Sequence, residues 1–334
     1  GLWLWLKATP ERHPGRGEHV HVGSWSVAGA QPLSLRHLAA GAACIAANFG
    51  CRPTFALSAL LCFPIFWPQI TSLLQGLKSR SLPPRRALRA PAAVIIPALI
   101  VVLPLMAYNV ARFGSPLDFG NDYQMTVTDM TRFVQPTANF LPSVGAYLFL
   151  PLRFTSEFPF IGMTPMAFRE WGYYEPMAGG LFTTCPLLLL ALAAPFLRRR
   201  MHRSGYWGLA TCSLALAMLL AVFDSHTAGL GWRYICDFGW MMAIAALAPM
   251  LYLMHPGGDA IAAGAPDPSE RNEPRRDVTK RHPMALACVR GLVVAVLMAS
   301  IILAVLACFI PGRDDSLINN NPVLYDTVVA WFRL

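Results

Sequence analysis

Three arginines lie at or beside the ends of long apolar runs, where they could bind a phosphate group. They are Arg52, Arg112 and Arg233. The guanidinium group presents a planar fork of N–H donors that matches the oxygens of a phosphate. These three side chains are therefore candidates to bind a phosphate group.

Arg112 has an alternative role that the sequence leaves open. It is followed by a turn-forming stretch that contains Asp118 and Tyr123. Arg112 could extend its charged end to the membrane interface, or it could pair with Asp118. Asp118 and Tyr123 are themselves candidates for a polar site on the same side of the membrane.

A second polar group precedes a late apolar run and contains Asp224, His226, Arg233, Tyr234 and Asp237. The first two could serve acid/base chemistry or bind a cation, although an Asp-x-His pair also commonly caps a loop. Arg233 and Asp237 are four residues apart, so a helix would place them on one face. Arg233 is a candidate for the phosphate, and the other four are candidates for the polar site.

These residues must be positioned by membrane-spanning helices. The chain has 334 residues, of which 55% are hydrophobic and 13% are charged, whereas a soluble domain has about 25% charged residues. Apolar runs near the bilayer-spanning length of about 20 residues recur along the chain. The sequence therefore predicts an all-α polytopic membrane bundle, a single membrane domain. The predicted spans are 34–50, 54–76, 90–110, 180–197, 205–223, 236–254 and 286–310, after a partial span at the start.

Basic residues orient these spans, since Lys and Arg near membrane ends stay cytoplasmic. The loop 78–89 carries five basic residues. If the chain crosses the membrane at each predicted span, all the remaining arginine-rich loops fall on the same side as 78–89. The sequence predicts a multi-pass protein of the cell inner (plasma) membrane. Its cytoplasmic segments are 7–33, 78–89, 198–204 and a disordered loop at 255–285; its outer segments are 111–179, 224–235 and the C-terminal tail 311–334.

The outer loop 111–179 contains an apolar and aromatic stretch, 141–160, that is interrupted by prolines. This pattern favours an amphipathic helix lying in the plane of the membrane surface, although a lid packed on the bundle would have the same composition. Arg153 and Glu157 have the spacing of an i,i+4 ion pair.

The sequence gives little support to cofactors or nucleic acid as partners. The eight cysteines form no Cys-x-x-Cys pair and suit apolar packing, and a divalent metal would lack a ligand cluster. The formal charge of +9 follows from the basic loops of a membrane protein rather than from nucleic-acid binding. We also expect the part of the protein before Gly1 to be missing.

Several short motifs resemble bacterial family-39-like membrane glycosyltransferases or their uncharacterised relatives. The run Phe49–Thr54 is similar to an Arg-Pro-Thr hairpin of that family, and Tyr108–Gly120 looks like a segment of its relatives. Trp232–Tyr234 resembles a late Arg-Tyr motif, and Asn319–Tyr325 is similar to their tails.

The resemblance implies a GT-C enzyme that transfers a sugar from a polyprenyl-phosphate donor at the outer leaflet. In that class the acidic catalytic residue lies in the first outer loop, so no residue of this sequence inherits the role. The arginines would stabilise the departing lipid phosphate. A flippase or transporter of lipid-linked glycans and a non-catalytic membrane subunit remain alternatives.

Overall fold

The protein is described by a computed structural model. The structure describes residues 1–9, 24–25, 32–120, 123, 134–198, 206–254, 283–312 and 316–332. This part of the chain is mostly helical, with two short antiparallel β-ladders. The predicted disordered loop 255–285 lies almost entirely outside the described residues, and so do most of 7–33 and 198–204.

The chain divides into two compact units, Gly1–Phe133 and Val134–Leu334, and each is described by itself. The first unit contains a ladder of β1 (Ser24–Trp25) with β2 (Leu33–Ser34) and a 3-10 helix at Pro53–Leu61. Its α-helices are α1 (Leu2–Ala8), α2 (Leu35–Cys51), α3 (Cys62–Ile65), α4 (Trp67–Lys78), α5 (Pro84–Ala87) and α6 (Arg89–Phe113).

Helix α2 is the centre of the first unit, because small residues let its neighbours approach closely. The indole of Trp5 in α1 lies on Gly41, where any side chain would collide with it, and donates a hydrogen bond to the carbonyl of Leu38 at 3.2 Å. Farther along α2, Gly50 faces Leu105 of α6. Helix α6 runs past the predicted span 90–110 and stops at Phe113, and Gly114 takes the left-handed conformation at φ 78°.

The predicted span 54–76 is bent rather than straight. The helical stretches Pro53–Ile65 and Trp67–Lys78 meet at an angle of 67°. Phe66, at the break, has non-helical backbone angles. Pro64 and Pro68 flank it, and each removes an amide donor and crowds the preceding turn. This pair is either a broken span or a re-entrant loop.

The second unit contains a ladder of β3 (Arg153–Phe154) with β4 (Ile161–Gly162), in which Arg153 is opposite Gly162. Three 3-10 helices lie at Thr137–Asn139, Pro186–Leu197 and Trp232–Tyr234. Its α-helices are α7 (Phe140–Phe149), α8 (Leu181–Thr184), α9 (Tyr206–Thr227), α10 (Ile235–Met254), α11 (Pro283–Ala307), α12 (Leu317–Asn320) and α13 (Pro322–Ala330).

A stripe of small residues brings α9 against its neighbours. Ser213, Ala217, Ala221 and Ser225 recur every fourth residue and are fully buried. Residues four apart lie on one face of a helix, and small side chains there allow close backbone contact. Helix α10 packs along α9 and along the 3-10 helix Pro186–Leu197, so these three segments form the core of the second unit.

Among the residues that the structure describes, four helices are long and apolar enough to cross a membrane, or up to five if the bent pair counts as one span. The four are Arg89–Phe113, Tyr206–Thr227, Trp232–Met254 and Ala287–Ala307. The other two predicted spans form shorter helices, 17 residues at Leu35–Cys51 and 12 at Pro186–Leu197. The chain is therefore consistent with a multi-pass membrane protein.

The predicted in-plane helix 141–160 is only half helical. Helix α7 ends at Phe149, and the chain then forms the β3–β4 ladder. Arg153 lies in a strand and Glu157 in the turn that follows, so their helical i,i+4 arrangement does not form. Pro151 and Pro159 lack the amide donors that a continuing helix needs. One face of α7 packs on α9 and is buried at Tyr147.

Candidate functional site

Tyr147 holds the glycine turn that joins α9 to α10. Its hydroxyl donates to the carbonyl of Gly229 at 2.9 Å and accepts from the amide of Gly231 at 3.0 Å. Gly229 has φ of 84°, a conformation that glycine adopts without strain. The tyrosine is fully buried, and burial raises the pKa of its hydroxyl far above the ordinary value of 10.0. It therefore stays neutral and fixes where α10 begins.

The same turn pairs with the segment Tyr173–Glu175. Leu230 donates its amide to the carbonyl of Tyr173 at 2.9 Å, and the amide of Glu175 donates to the carbonyl of Leu230 at 2.8 Å. Tyr174 and Leu230 thus form a parallel bridge. These backbone bonds bring two side chains that are 58 positions apart in the sequence, those of Glu175 and Arg233, to the start of α10.

We name Tyr173, Glu175, Arg233 and Tyr234 the Arg233 cluster. The Arg233 Nε lies 3.3 Å from the Glu175 Oε1, and its Nη2 donates to the Tyr173 hydroxyl at 3.1 Å. That hydroxyl in turn donates to the Glu175 Oε1 at 2.6 Å. The guanidinium also lies over the ring of Tyr234, 5.4 Å from its centroid. These contacts orient Arg233 while 61% of its side chain stays exposed.

Glu175 is the best-buried charge of the cluster, with 22% of its side chain exposed. Its Oε1 is shared between Tyr173 and Arg233, whereas its Oε2 is buried and has no hydrogen-bond partner among the described residues. A Cβ on Gly231 would lie 3.1 Å from this oxygen and 2.7 Å from the Tyr234 ring. Glycine at position 231 is therefore required for the cluster to pack.

The tyrosine between the two charges has a perturbed acidity. Burial and the hydrogen bond to the Glu175 carboxylate raise the pKa of Tyr173 to about 12. The negative charge of Glu175 also disfavours the phenolate form and so raises the pKa further. Tyr173 is therefore a neutral hydrogen-bond donor at physiological pH, and its role at the cluster is to position the carboxylate and the guanidinium.

Two buried amides support the loop that carries the cluster. Gln135 and Asn139 both donate to the Tyr174 hydroxyl, and Asn139 also bonds the backbone of Glu170. Phe168 stacks on the Tyr174 ring with centroids 3.9 Å apart. Burial is the main reason that the pKa of Tyr174 is raised. This network fixes the loop on both sides of Tyr173.

The predicted acid/base pair lies in a helix rather than in a loop. Helix α9 continues to Thr227 and includes both Asp224 and His226. Asp224 is buried, with 4% of its surface exposed. His226 meets Phe140 edge to face at 5.9 Å and borders an apolar cavity of about 420 Å³. The two residues therefore occupy different surroundings.

Asp237 and Arg233 also differ in their surroundings. Arg233 lies in the 3-10 helix Trp232–Tyr234 just before α10 and has Glu175 as its ion-pair partner, with 61% of its side chain exposed, whereas Asp237 in α10 is 2% exposed. Tyr234, in contrast, lies directly against Arg233. Of the five predicted residues in this stretch, Arg233 and Tyr234 come together in the cluster.

In the first unit, Arg112 is held by aromatic neighbours rather than by Asp118. Its Nη1 donates to the Tyr108 hydroxyl at 3.0 Å, and its guanidinium lies 4.9 Å from the centroid of Phe113. Asp118 instead accepts the amide of Gly120 at 2.8 Å, which closes a local turn. Tyr123 stacks on Phe113 at 5.3 Å. Arg112 and Tyr123 therefore share one aromatic neighbour.

Arg52 lies between α2 and the 3-10 helix that follows, as the predicted hairpin required. Its backbone amide donates to the carbonyl of Asn48 at 2.9 Å, and its side chain is half-buried. Arg52 and Arg112 belong to the first unit and Arg233 to the second. A common phosphate site for all three stays a prediction. Among the described residues, no group of three or more His, Cys, Asp or Glu side chains could hold a metal ion.

Sequence reasoning missed Glu175, Tyr173, Tyr147, Gln135 and Asn139. The one available signal was the polar and aromatic run 171–175 inside the long loop. Comparisons with protein-family models, curated proteins and solved structures found no match to this chain. The geometry of the Arg233 cluster is therefore the main evidence for function.

Proposed function

We propose that this chain is a membrane part of a GT-C-like glycosyltransferase, and that it binds a polyprenyl-phosphate-linked sugar. In this proposal the Arg233 cluster contacts the phosphate of the donor. Phosphate binding by Arg52 and Arg112, which belong to the first unit, stays a prediction from the sequence. The single observation that supports it best is an oriented, 61% exposed arginine at the first turn of a span-length apolar helix.

Three properties of Arg233 suit it to this role. It lies in the first turn of the segment Trp232–Met254, where a lipid headgroup meets the end of a span. Its Nε is held by Glu175 and one Nη by Tyr173, so less side-chain entropy is lost when it binds an anion. The guanidinium has five donors in all, and a charge-assisted bond to phosphate is among the stronger hydrogen bonds.

The proposal also assigns an orientation of the chain across the membrane. Seven spans would place the Arg233 cluster and the C-terminal helix α13 on the outer side of the plasma membrane, with 78–89 in the cytoplasm. The arginine-rich loops support this orientation. The two short helices, Leu35–Cys51 and Pro186–Leu197, would then cross a locally thinned bilayer or be extended by their neighbouring turns.

Binding is tested with the purified protein in lipid nanodiscs. A polyprenyl-phosphate-linked sugar is titrated against the wild type, Arg233→Ala and Arg169→Ala, and the Kd is measured by native mass spectrometry. A hydrogen bond to a charged group contributes about 1.5–3 kcal/mol, so Arg233→Ala should weaken binding by about tenfold or more. Arg169 is an exposed arginine in the loop that carries Tyr173 and Glu175. Because an exposed charge away from the bound group contributes little, Arg169→Ala should leave the Kd within about twofold of wild type.

Equal affinities for both variants would reject the proposed phosphate contact. Binding without consumption of the sugar donor, in the full-length protein supplied with acceptor, would instead favour a flippase or a non-catalytic subunit.

The orientation in the membrane is tested separately with Ser81→Cys and Ser156→Cys in a background without native cysteines. Both serines are exposed. An impermeant thiol reagent should label residue 156 in intact cells and not residue 81; the opposite pattern would overturn the orientation.

A further inference from the structure

The C-terminal helix α13 exposes an apolar face. Asn321 begins this helix by accepting the amide of Leu324 at 3.1 Å, and Pro322 follows at the first turn. On one side, Val329 is buried against the rest of the unit. On the other side, Val323 is 75% exposed and Trp331 is 72% exposed.

Helical geometry places Val323, Leu324, Thr327 and Trp331 together on this exposed side. Thr327 is the polar member, but its hydroxyl donates to the carbonyl of Val323 at 2.7 Å. It therefore needs no water as a hydrogen-bond partner. Asp326 lies at the margin of this face and is also exposed. Among the described residues, the exposed face is thus apolar, with a single charge at its edge.

Aromatic contacts place this helix at the end of a membrane-length helix. Phe332 stacks on Phe158 with centroids 4.5 Å apart, and Phe158 contacts Phe309 at 5.2 Å. Phe309 comes two residues after the end of α11, a helix that qualifies as a span. Two ring contacts therefore hold the end of α13 to the level at which α11 would leave the bilayer.

Further apolar and aromatic residues surround this end of α11. Ile310, just after α11, is buried in a cluster with Ile161 of β4, and the partly buried Trp232 of the 3-10 helix before α10 packs against this cluster. The β3–β4 ladder beside it exposes Phe154 by 72% and Phe160 by 39%. Tryptophan and tyrosine concentrate where the hydrocarbon region of a bilayer meets water, and segments that lie in the interface also insert Phe and Leu side chains among the lipids. The exposed face of α13 is thus continuous with a rim of exposed aromatic rings.

We propose that α13 lies in the plane of the membrane interface, with Val323, Leu324 and Trp331 inserted among the lipids. The occupant of the exposed face is the bilayer surface. Phe332 fastens the helix to Phe158 and so fixes its distance from the spans. This role is independent of the proposed sugar transfer.

The test uses nitroxide labels at Leu324→Cys, Trp331→Cys and Asp326→Cys, one at a time, in the full chain without native cysteines. The protein is reconstituted at one copy per lipid nanodisc. Collision rates with molecular oxygen, which concentrates in lipid, are compared with those for a water-soluble nickel chelate. Labels at 324 and 331 should collide more with oxygen and lie about 5–10 Å below the headgroups, the depth of an interfacial helix. The label at 326 should collide more with nickel.

Two results would overturn the proposal. Greater nickel than oxygen collision at both 324 and 331 would mean that water covers this face. Shielding of both labels from both reagents would mean that a protein surface, such as a second copy in a crowded membrane, covers it. The two sites are independent, so failure of one variant to fold leaves the other to decide.

Discussion

Removing one hydroxyl tests whether the glycine turn depends on Tyr147. In Tyr147→Phe the ring still fills its place, but the carbonyl of Gly229 and the amide of Gly231 lose their partner. Both glycines are buried. A buried group left without a hydrogen bond costs about 1–3 kcal/mol, so losing partners for two groups should destabilise the second unit by about 3 kcal/mol.

The assay is thermal unfolding in detergent, followed by intrinsic tryptophan fluorescence. For a unit of this size, 1 kcal/mol corresponds to a Tm change of roughly 2–4 °C, so Tyr147→Phe should lower the Tm by about 6–12 °C by that conversion. Tyr206→Phe is the matched control, since Tyr206 is 55% exposed. If Tyr147→Phe melts together with this control, the hydroxyl does not hold the turn and the reasoning is refuted.

Three further predictions concern the same unit. The pKa of Tyr173 is raised to about 12, so between about pH 10 and 12 the folded state holds a proton that the unfolded state has lost. The free energy of unfolding should therefore fall as the pH rises from about 10 to 12. Denaturant unfolding of Tyr173→Phe over the same pH range should show a smaller fall. Gly231→Ala should lower the Tm and, because its Cβ would lie 2.7 Å from the ring of Tyr234, also weaken any phosphate binding. Ala217→Leu inserts three carbons into the fully buried stripe of α9 and should cost about 1–3 kcal/mol of stability, whereas Val222→Leu on the exposed side of α9 should be neutral in the same unfolding assay.

Local signals along the chain predicted the main helices. The apolar run 90–110 lies within α6, which extends to Phe113, because a long apolar run is a local property of the sequence. The left-handed Gly114 that follows is a common way for a helix to end. The bend at Phe66 also had a local signal in Pro64 and Pro68, which the reading of 54–76 as one span overlooked. Helical hydrophobicity thus located these segments without giving their curvature.

The site was less predictable, since its contacts are long-range. Nothing near Arg233 in the sequence indicates that its partner is Glu175, because the pairing depends on the backbone bridge between Tyr174 and Leu230. Asn139 could not be predicted either, because its amide supports a loop more than 30 residues later in the chain. The spacing of Arg233 and Asp237 suggested a shared face, but packing buried one and exposed the other.

The ion pair raises a question about the proposed phosphate contact, because Glu175 neutralises the charge that would attract an anion. Glu175→Gln removes the negative charge but keeps an oxygen that can accept from Arg233 and Tyr173. A unit charge about 6 Å from a bound phosphate in water contributes about 0.7 kcal/mol of repulsion. Losing it should therefore strengthen binding by about threefold.

Glu175→Gln should instead weaken phosphate binding if the carboxylate is needed chiefly to orient the guanidinium. A neutral amide holds an arginine less firmly than a carboxylate does, since charge-assisted bonds are about twice as strong. Arg233 is largely exposed, so water screens the ion pair and limits what this loss costs. We therefore expect the electrostatic gain to dominate, and the Kd for a polyprenyl phosphate should fall in Glu175→Gln while Arg233→Ala in the same background cancels the gain. Weaker binding in Glu175→Gln would show that orientation, not net charge, governs the cluster.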